Sequence, residues 1–237
     1  MARPIENQPD AVEHPRAIKS FVIRSGRMTP GQEKAYEDLW QHYGVDADEQ
    51  ILDFGQLFGR QAPVILEIGF GMGDSLLEIA MAHPENNYLG IEVHKPGVGR
   101  LLANISEHSL SNLKVMKFDA VEVLKKQIQE ATLSAVYLFF PDPWHKTRHQ
   151  KRRIVQDDFI QLIRQKLALQ GQFHMATDWE HYARQMLGAM KKAPGFHNCA
   201  DNGDYIPRPD YRPKTKFERR GERLGHGVWD ILFEKID

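Results

Sequence analysis

Apolar and polar positions along this chain fall into alternating blocks. Apolar-rich runs stand at 64–68, 87–93, 113–118, 135–140 and 172–177, each short enough for one strand. Stretches with helical spacing lie between them at 74–82, 96–108, 120–130 and 155–169, with another at 179–191. Short apolar runs without strict alternation suit strands covered on both faces, and strands that alternate with helices predict an α/β fold with a parallel sheet. A last strand is predicted over 228–234. Ligands of such sheets bind beyond the carboxyl ends of the strands.

Upstream, Thr29 and Pro30 read as an N-cap followed by proline at the first helical position, opening a helix to about Tyr43. Leu52, Phe54, Leu57 and Phe58 form a small apolar cluster ahead of the first sheet strand. Residues 1–27 carry Pro4, Pro9, Pro15 and Gly26 without periodicity and read as a flexible basic arm. Residues 28–237 then form one domain, in which 195–226, rich in Gly, Pro and charge, reads as an ordered loop or a substrate-facing segment.

The chain has 237 residues, 41% hydrophobic and 27% charged, enough for one α/β domain with its own core. The lone Cys199 excludes an internal disulfide and suits a reducing cytoplasm. No apolar run approaches the ~18–20 residues of a membrane span, and the N-terminus lacks a signal-like apolar region. Net charge is −1, so an affinity for polyanions must be local. Basic residues do cluster, at 145–153, at 208–223 (Arg208, Arg212, Lys214, Lys216, Arg219, Arg220, Arg223) and along the arm (Arg3, Arg16, Lys19, Arg24, Arg27). Any one such run reads most simply as solvated surface, whereas three in a near-neutral chain shift the balance towards a polyanionic partner.

Candidate chemistry begins at residues 64–73, Val-Ile-Leu-Glu-Ile-Gly-Phe-Gly-Met-Gly. An apolar strand running into glycines is a nucleotide-binding turn, because glycine lets the backbone approach a ligand closely. A dinucleotide fingerprint requires a glycine where this chain has Asp74. Glu67 and Asp74 also place negative charge on both sides of a turn that pyrophosphate would want positive. A cationic, phosphate-free nucleoside fits better, and S-adenosylmethionine is the candidate.

Other strand ends are acidic too. Glu92 stands twenty-one residues after Gly71, the spacing at which a carboxylate accepts from ribose hydroxyls; an ordinary exposed carboxylate is the plain alternative. Asp119 can take the exocyclic amine of adenine or cap the helix that opens at Ala120. Pro141-Asp142-Pro143-Trp144-His145-Lys146 fixes one carboxylate between two prolines beside an aromatic ring, which suits a flat hydrogen-bonding base. Thr177-Asp178-Trp179 repeats the arrangement, with a helix cap as the alternative for Asp178. No histidine pair has metal-ligand spacing, so no metal is expected, and no nucleophile motif is present.

Taken together, LEIGFGMG (66–73), GIEVHKPGVG (90–99), FFPDPWHKTRHQKRRIV (139–155), FHMATDWE (173–180), TKFERRG (215–221) and LGHGVWDILFE (224–234) resemble the bacterial tRNA (guanine-N7-)-methyltransferases over essentially the whole chain. The resemblance implies a class I methyltransferase (Rossmann-like) three-layer sandwich with a mostly parallel seven-stranded sheet. It implies methyl transfer from S-adenosylmethionine to the variable-loop guanosine of tRNA, position 46 in tRNA numbering. Glu67, Gly69, Gly71, Glu92, Asp119 and Asp142 would serve the cofactor, with Asp142 also catalytic. Lys146, Asp178, Thr215, Lys216, Phe217 and Glu218 would bind the substrate, and Arg148, His149, Gln150, Lys151, Arg152 and Arg153 would lie against RNA. Monomer and homodimer both stay open.

Guanine N7 carries a free lone pair, so the reaction needs positioning and nearby negative charge more than a strong base. Asp142 is expected to hold the guanine, with Asp178 and Glu218 assisting and Trp144 or Trp179 stacking on the base. A methyltransferase with another acceptor, or a non-catalytic RNA-binding protein with a degenerate pocket, are the competing readings.

Overall fold

The five residues Val64–Ile68 are buried on both faces and hydrogen-bond to strands on either side. Around them a computed structural model describes residues 20–21, 26–215, 218 and 227–237. Most of the expected arm, Lys216, Phe217 and the basic residues 219–223 lie outside the described residues. In chain order the elements are α1 (Pro30–Tyr43), β1 (Gly44–Val45), α2 (Phe54–Phe58), β2 (Val64–Ile68), α3 (Asp74–Ala82), β3 (Asn87–Ile91), α4 (Lys95–Glu107), β4 (Leu113–Met116) and α5 (Ala120–Lys126). There follow β5 (Leu133–Phe139), a 3-10 helix (Thr147–Arg152), α6 (Asp157–Lys166), β6 (Leu167–Thr177), α7 (Glu180–Lys192), β7 (Phe196–Asn198) and β8 (Trp229–Lys235).

The sheet runs β1-β4-β3-β2-β5-β6-β8-β7, parallel as far as β6, with β8 antiparallel to both β6 and β7. One face packs on α5, α6 and α7 through Val123, Leu124, Ile160, Ile163, Tyr182 and Met186. The other packs on α3 and α4 through Leu76, Ile79, Leu101 and Ile105, with Tyr36, Leu39 and Trp40 of α1 beside them. Both faces of the sheet are therefore covered, as the unbroken apolar strands require. No helix among the described residues is long and apolar enough to cross a membrane.

Among the described residues eight strands form the sheet, where seven were expected. The two-residue β1 and the three-residue β7 are too short to carry a period, and β7 sits in the polar stretch after α7. The apolar pattern at 155–169 runs past the end of α6, because β6 begins at Leu167 and extends for 11 residues. At the start of α1 the side chain of Thr29 accepts from Gln32 N while Gln32 reaches back to Thr29 N, a reciprocal cap.

One contact sets the geometry of the ligand-facing edge. A Cβ built on Gly97, in the first turn of α4, would lie 1.8 Å from the carbonyl oxygen of Gly71. Helix and glycine turn touch backbone to backbone there. Gly97→Ala must push them apart and is expected to cost about 1–3 kcal/mol, the range for overpacking. Denaturant unfolding measures this; an unchanged midpoint would show that α4 shifts freely.

Candidate active site

A cavity of about 490 Å³ opens at the carboxyl ends of the parallel strands. Gly69, Gly71, Glu92, Asp119 and Asp142 all line it. Gly69, Gly71 and Gly73 have φ of 75°, 61° and 79°, a region that disfavours side chains. A Cβ on Gly69 or Gly71 would meet nothing within 4 Å, so the turn leaves room for a ligand against the main chain. Three carboxylates line the cavity, and no lysine or arginine does so among the described residues.

The carboxylates differ in state. Glu92 accepts from the amides of Gly71 (2.8 Å), Val93 (2.6 Å) and His94 (2.9 Å). Asp119 accepts from Val121 N at 3.0 Å and so caps α5 while facing the cavity, which joins its two expected readings in one geometry. Glu67 lies beneath the turn, 3% exposed, and its Oε2 has no hydrogen-bond partner. Burial, and secondarily the charge of Glu92, push its pKa up to about 8.

Asp142 is exposed at the cavity wall, in a loop held under backbone tension. Phe140 (φ 52°) and Trp144 (φ 43°) are left-handed on either side of Pro141-Asp142-Pro143. Bulky residues rarely adopt this region, and each costs on the order of 1–3 kcal/mol. Trp144 is held from several sides: its indole Nε1 donates to Ser20 O at 3.0 Å, the Arg152 guanidinium lies 4.4 Å from its centroid, and His149 meets its edge at 5.9 Å. Ser20 and Phe21, from the end of the expected arm, line the cavity.

Lys146, Arg148 and Lys151 are exposed on or beside the 3-10 helix, and His149 and Gln150 are half-buried there. Desolvation and the charges of Arg148, Lys146, Arg152 and Lys151 hold the His149 pKa below its usual range. Asp178 is exposed and does not cap α7, whose N-cap is Trp179 without a side-chain bond. Thr177 Oγ1 accepts from Trp179 N instead, at 3.2 Å. The Trp179 ring is 40% exposed, with the His145 ring edge-on at 4.3 Å. The loops after β5 and β6 are neighbours, since Phe139 pairs with Ala176 and Phe140 N donates to Ala176 O at 2.7 Å.

The sequence of this chain is similar to a well-populated group. A sequence model of the family described as "Putative methyltransferase" matches residues 61–231. The tRNA (guanine-N(7)-)-methyltransferase of Hydrogenovibrio crunogenus is 60% identical over 96% of this chain and 95% of its own length. The chain belongs to this methyltransferase family. The protein of the same name from Salmonella typhimurium is 59% identical over 93% of this chain and 92% of its own. In three dimensions this methyltransferase is similar to the 16S rRNA methyltransferase KamB (TM-score 0.59, 15% identity, 79% of this chain and 95% of that one). It is also similar to the aminoglycoside resistance methyltransferase NpmB1 (TM-score 0.53, 13% identity, 76% and 91%). At such identities the likeness concerns the class I methyltransferase fold.

Two expected members of the basic surface are interior residues of the enzyme. Arg153 is 2% exposed. Its Nε donates to Pro143 O at 2.7 Å, its Nη1 reaches His181 and Gln185, and its guanidinium lies 4.7 Å from the Tyr182 ring. It ties the Asp142 loop to α7 from the interior, whereas the sequence placed it on the basic surface. Arg212 is 1% exposed and paired with Glu218 and Asp230. Glu218, expected to bind the substrate, is correspondingly 3% exposed, with both oxygens engaged by Arg212. Thr215 is half-buried beside it. Sequence reasoning also passed over His94, Phe118 and Phe21, all of which line the cavity. His94 lay within a quoted stretch, but nothing in its spacing marked it.

The raised pKa of Glu67 has a sign that can be measured. Between its ordinary 4.5 and about 8, the folded protein keeps a proton that the unfolded chain releases. This contribution to stability is complete below the lower value and lost as pH rises through the upper one. Glu67→Gln should flatten that decline, so melting profiles of wild type and variant should diverge with rising pH across the interval. Parallel profiles would mean that Glu67 is ionised throughout.

Proposed function

We propose that this enzyme methylates N7 of the variable-loop guanine, position 46, of tRNA with S-adenosylmethionine, acting in the cytoplasm. The observation that carries the reading is one cavity lined by carboxylates and glycine main chain that adjoins an exposed basic helix. S-adenosylmethionine supplies an electrophilic methyl on a sulfonium, which guanine N7 can take without first losing a proton.

The residues fit that cofactor. Glu92 faces the cavity as an acceptor for ribose hydroxyls, and Asp119 for the adenine amine. Glu67 does not itself line the cavity, but its unpartnered oxygen lies behind the glycine turn, where an ammonium group would favour release of the proton that burial retains. A cavity lined by three carboxylates, and by no lysine or arginine among the described residues, disfavours phosphate-bearing cofactors and suits a cation.

Asp142 holds the guanine by its N–H edge and keeps negative charge beside a ring that becomes cationic. Its prolines and the left-handed residues around them fix the carboxylate before the base arrives. Asp178 supports the same edge from the neighbouring loop. Trp179 supplies the stacking face, because it is exposed while Trp144 is tied to Ser20 and covered by Arg152. Lys146, Arg148, Lys151 and Arg152, with His149 and Gln150, meet the tRNA backbone.

The test is methyl transfer from labelled S-adenosylmethionine to unmodified tRNA transcripts, followed by nucleoside analysis. N7-methylguanosine that vanishes when the variable-loop guanosine is replaced is the expected product. Asp142→Asn should lower kcat about 10²–10³-fold with tRNA affinity nearly unchanged. Cofactor binding without transfer to any tRNA would redirect the enzyme to another acceptor.

The neighbours Arg152 and Arg153 should separate in a second measurement. Arg152→Ala should weaken tRNA binding and reduce its logarithmic salt slope by about 0.7–0.9 for one lost phosphate contact. Arg153→Ala should instead lower stability by about 2–3 kcal/mol through lost buried bonds, with little change in slope. The reverse pattern would return Arg153 to the RNA surface.

A further inference from the structure

We propose that Arg212 is a positioning residue for the substrate half of the site, and that Glu218 acts on the reaction through Arg212 and Thr215 rather than by touching the guanine. The proposal rests on the tRNA-guanine reading above.

The geometry accounts for nearly all of the hydrogen-bonding capacity of both groups. Arg212 donates from Nε to Asp230 Oδ1 (2.6 Å) and from Nη2 to Asp230 Oδ2 (2.8 Å). On its other side it donates from Nη1 to Glu218 Oε2 (2.8 Å) and from Nη2 to Glu218 Oε1 (2.7 Å). These bonds engage four of the five N–H groups of the guanidinium. Glu218 Oε2 also accepts from Thr215 N at 2.8 Å, while Glu218 N donates to Thr215 Oγ1 at 3.1 Å. Glu218 is thus closed around Thr215 and Arg212. Thr215, half-buried, is the member of the group still open to a substrate.

The cluster is anchored to the sheet. Asp230 lies in β8 opposite Ala176 of β6. His174 of β6 is fully buried and meets Asp230 Oδ1 through Nε2 at 2.9 Å. Its Nδ1 lies 2.9 Å from the Tyr211 hydroxyl, so a neutral ring that accepts from Tyr211 and donates to Asp230 satisfies both partners. Burial holds the His174 pKa down against the pull of Asp230, in keeping with that state. With His174 neutral, two carboxylates face one guanidinium. An apolar plug would fill this space at lower electrostatic cost. What the ion pairs add is direction: a planar fork aligned with two carboxylates at once.

Arg212 also lies behind the cavity wall. Its guanidinium lies 5.8 Å from the Phe139 ring centroid and 5.6 Å from that of Phe140, and both residues line the cavity on the way to Asp142. The fork therefore sets the position of Thr215 relative to the wall that carries the Asp142 loop.

A double-mutant cycle on the full-length enzyme tests this. Arg212→Lys keeps the charge and loses the fork; Glu218→Gln keeps the shape and loses the charge. Each should lower kcat on unmodified tRNA about 10- to 100-fold, with S-adenosylmethionine affinity by calorimetry unchanged. The double variant should be no worse than the weaker single one, because both disable the same unit. Multiplied losses would show that Glu218 contacts the guanine independently and would overturn the proposal. So would a lowered melting temperature with kcat intact, which is a merely structural outcome. If Arg212→Lys does not fold, Thr215→Ala replaces it: Glu218→Gln should then add nothing on the Thr215→Ala background, and an added loss would overturn the proposal. Wild-type transfer is the internal control, since its absence counts against the tRNA reading itself.

Discussion

Glu92 gathers the amides of Gly71, Val93 and His94 onto one carboxylate, and the glycine-turn half of the cavity depends on that gathering. The bonds join the turn after β2 to the end of β3 and the start of α4. Hydrogen bonds to a charged acceptor are worth about 1.5–3 kcal/mol each, enough to hold a turn whose glycines are otherwise free to rearrange. The Gly97–Gly71 backbone contact depends on the same junction, as does the open space above Gly69 and Gly71. Because β2 and β3 are paired in register along their whole length, a slip of one residue would carry Glu92 to the wrong face.

The Asp142 side of the cavity is organised by a different force. Phe140 and Trp144 hold unfavourable backbone angles, and that cost must be met by surrounding contacts. Those contacts are visible: Phe140 N bonds Ala176 O, the Trp144 indole bonds Ser20 O, and Arg153 grips Pro143 O. Asp142 gains a fixed position while its side chain stays in solvent. The two sides of the cavity thus differ in kind, one built from hydrogen-bonded glycine and the other from strained aromatic main chain.

Much of this was legible in the chain. Strands buried on both faces announce themselves as apolar runs, and the predicted bounds of β2 and α3 coincide with the observed ones. Gly69, Gly71, Glu92, Asp119 and Asp142 share a cavity because parallel strands end at one edge. What stayed hidden follows from what a linear pattern lacks. Arg152 and Arg153 are adjacent and chemically identical, yet one lies over Trp144 and the other is interior, a distinction set by partners 28 and 32 residues away. Arg212 looked like part of a basic run because its counter-charges, Glu218 and Asp230, are brought to it by the fold. β1 and β7 exist only because a neighbouring strand offers its edge.

The reversal of β8 divides responsibilities along the chain. Because β8 runs against β6, its first residue, Trp229, pairs with Thr177 at the same edge where the parallel strands end. Residues 227 and 228, which lead directly into β8, therefore enter the sheet at that edge without any parallel crossover. In engineering terms the domain joins a parallel half that is costly to alter to an antiparallel β8–β7 edge, which lies outside the register of the strands that carry the glycine turn.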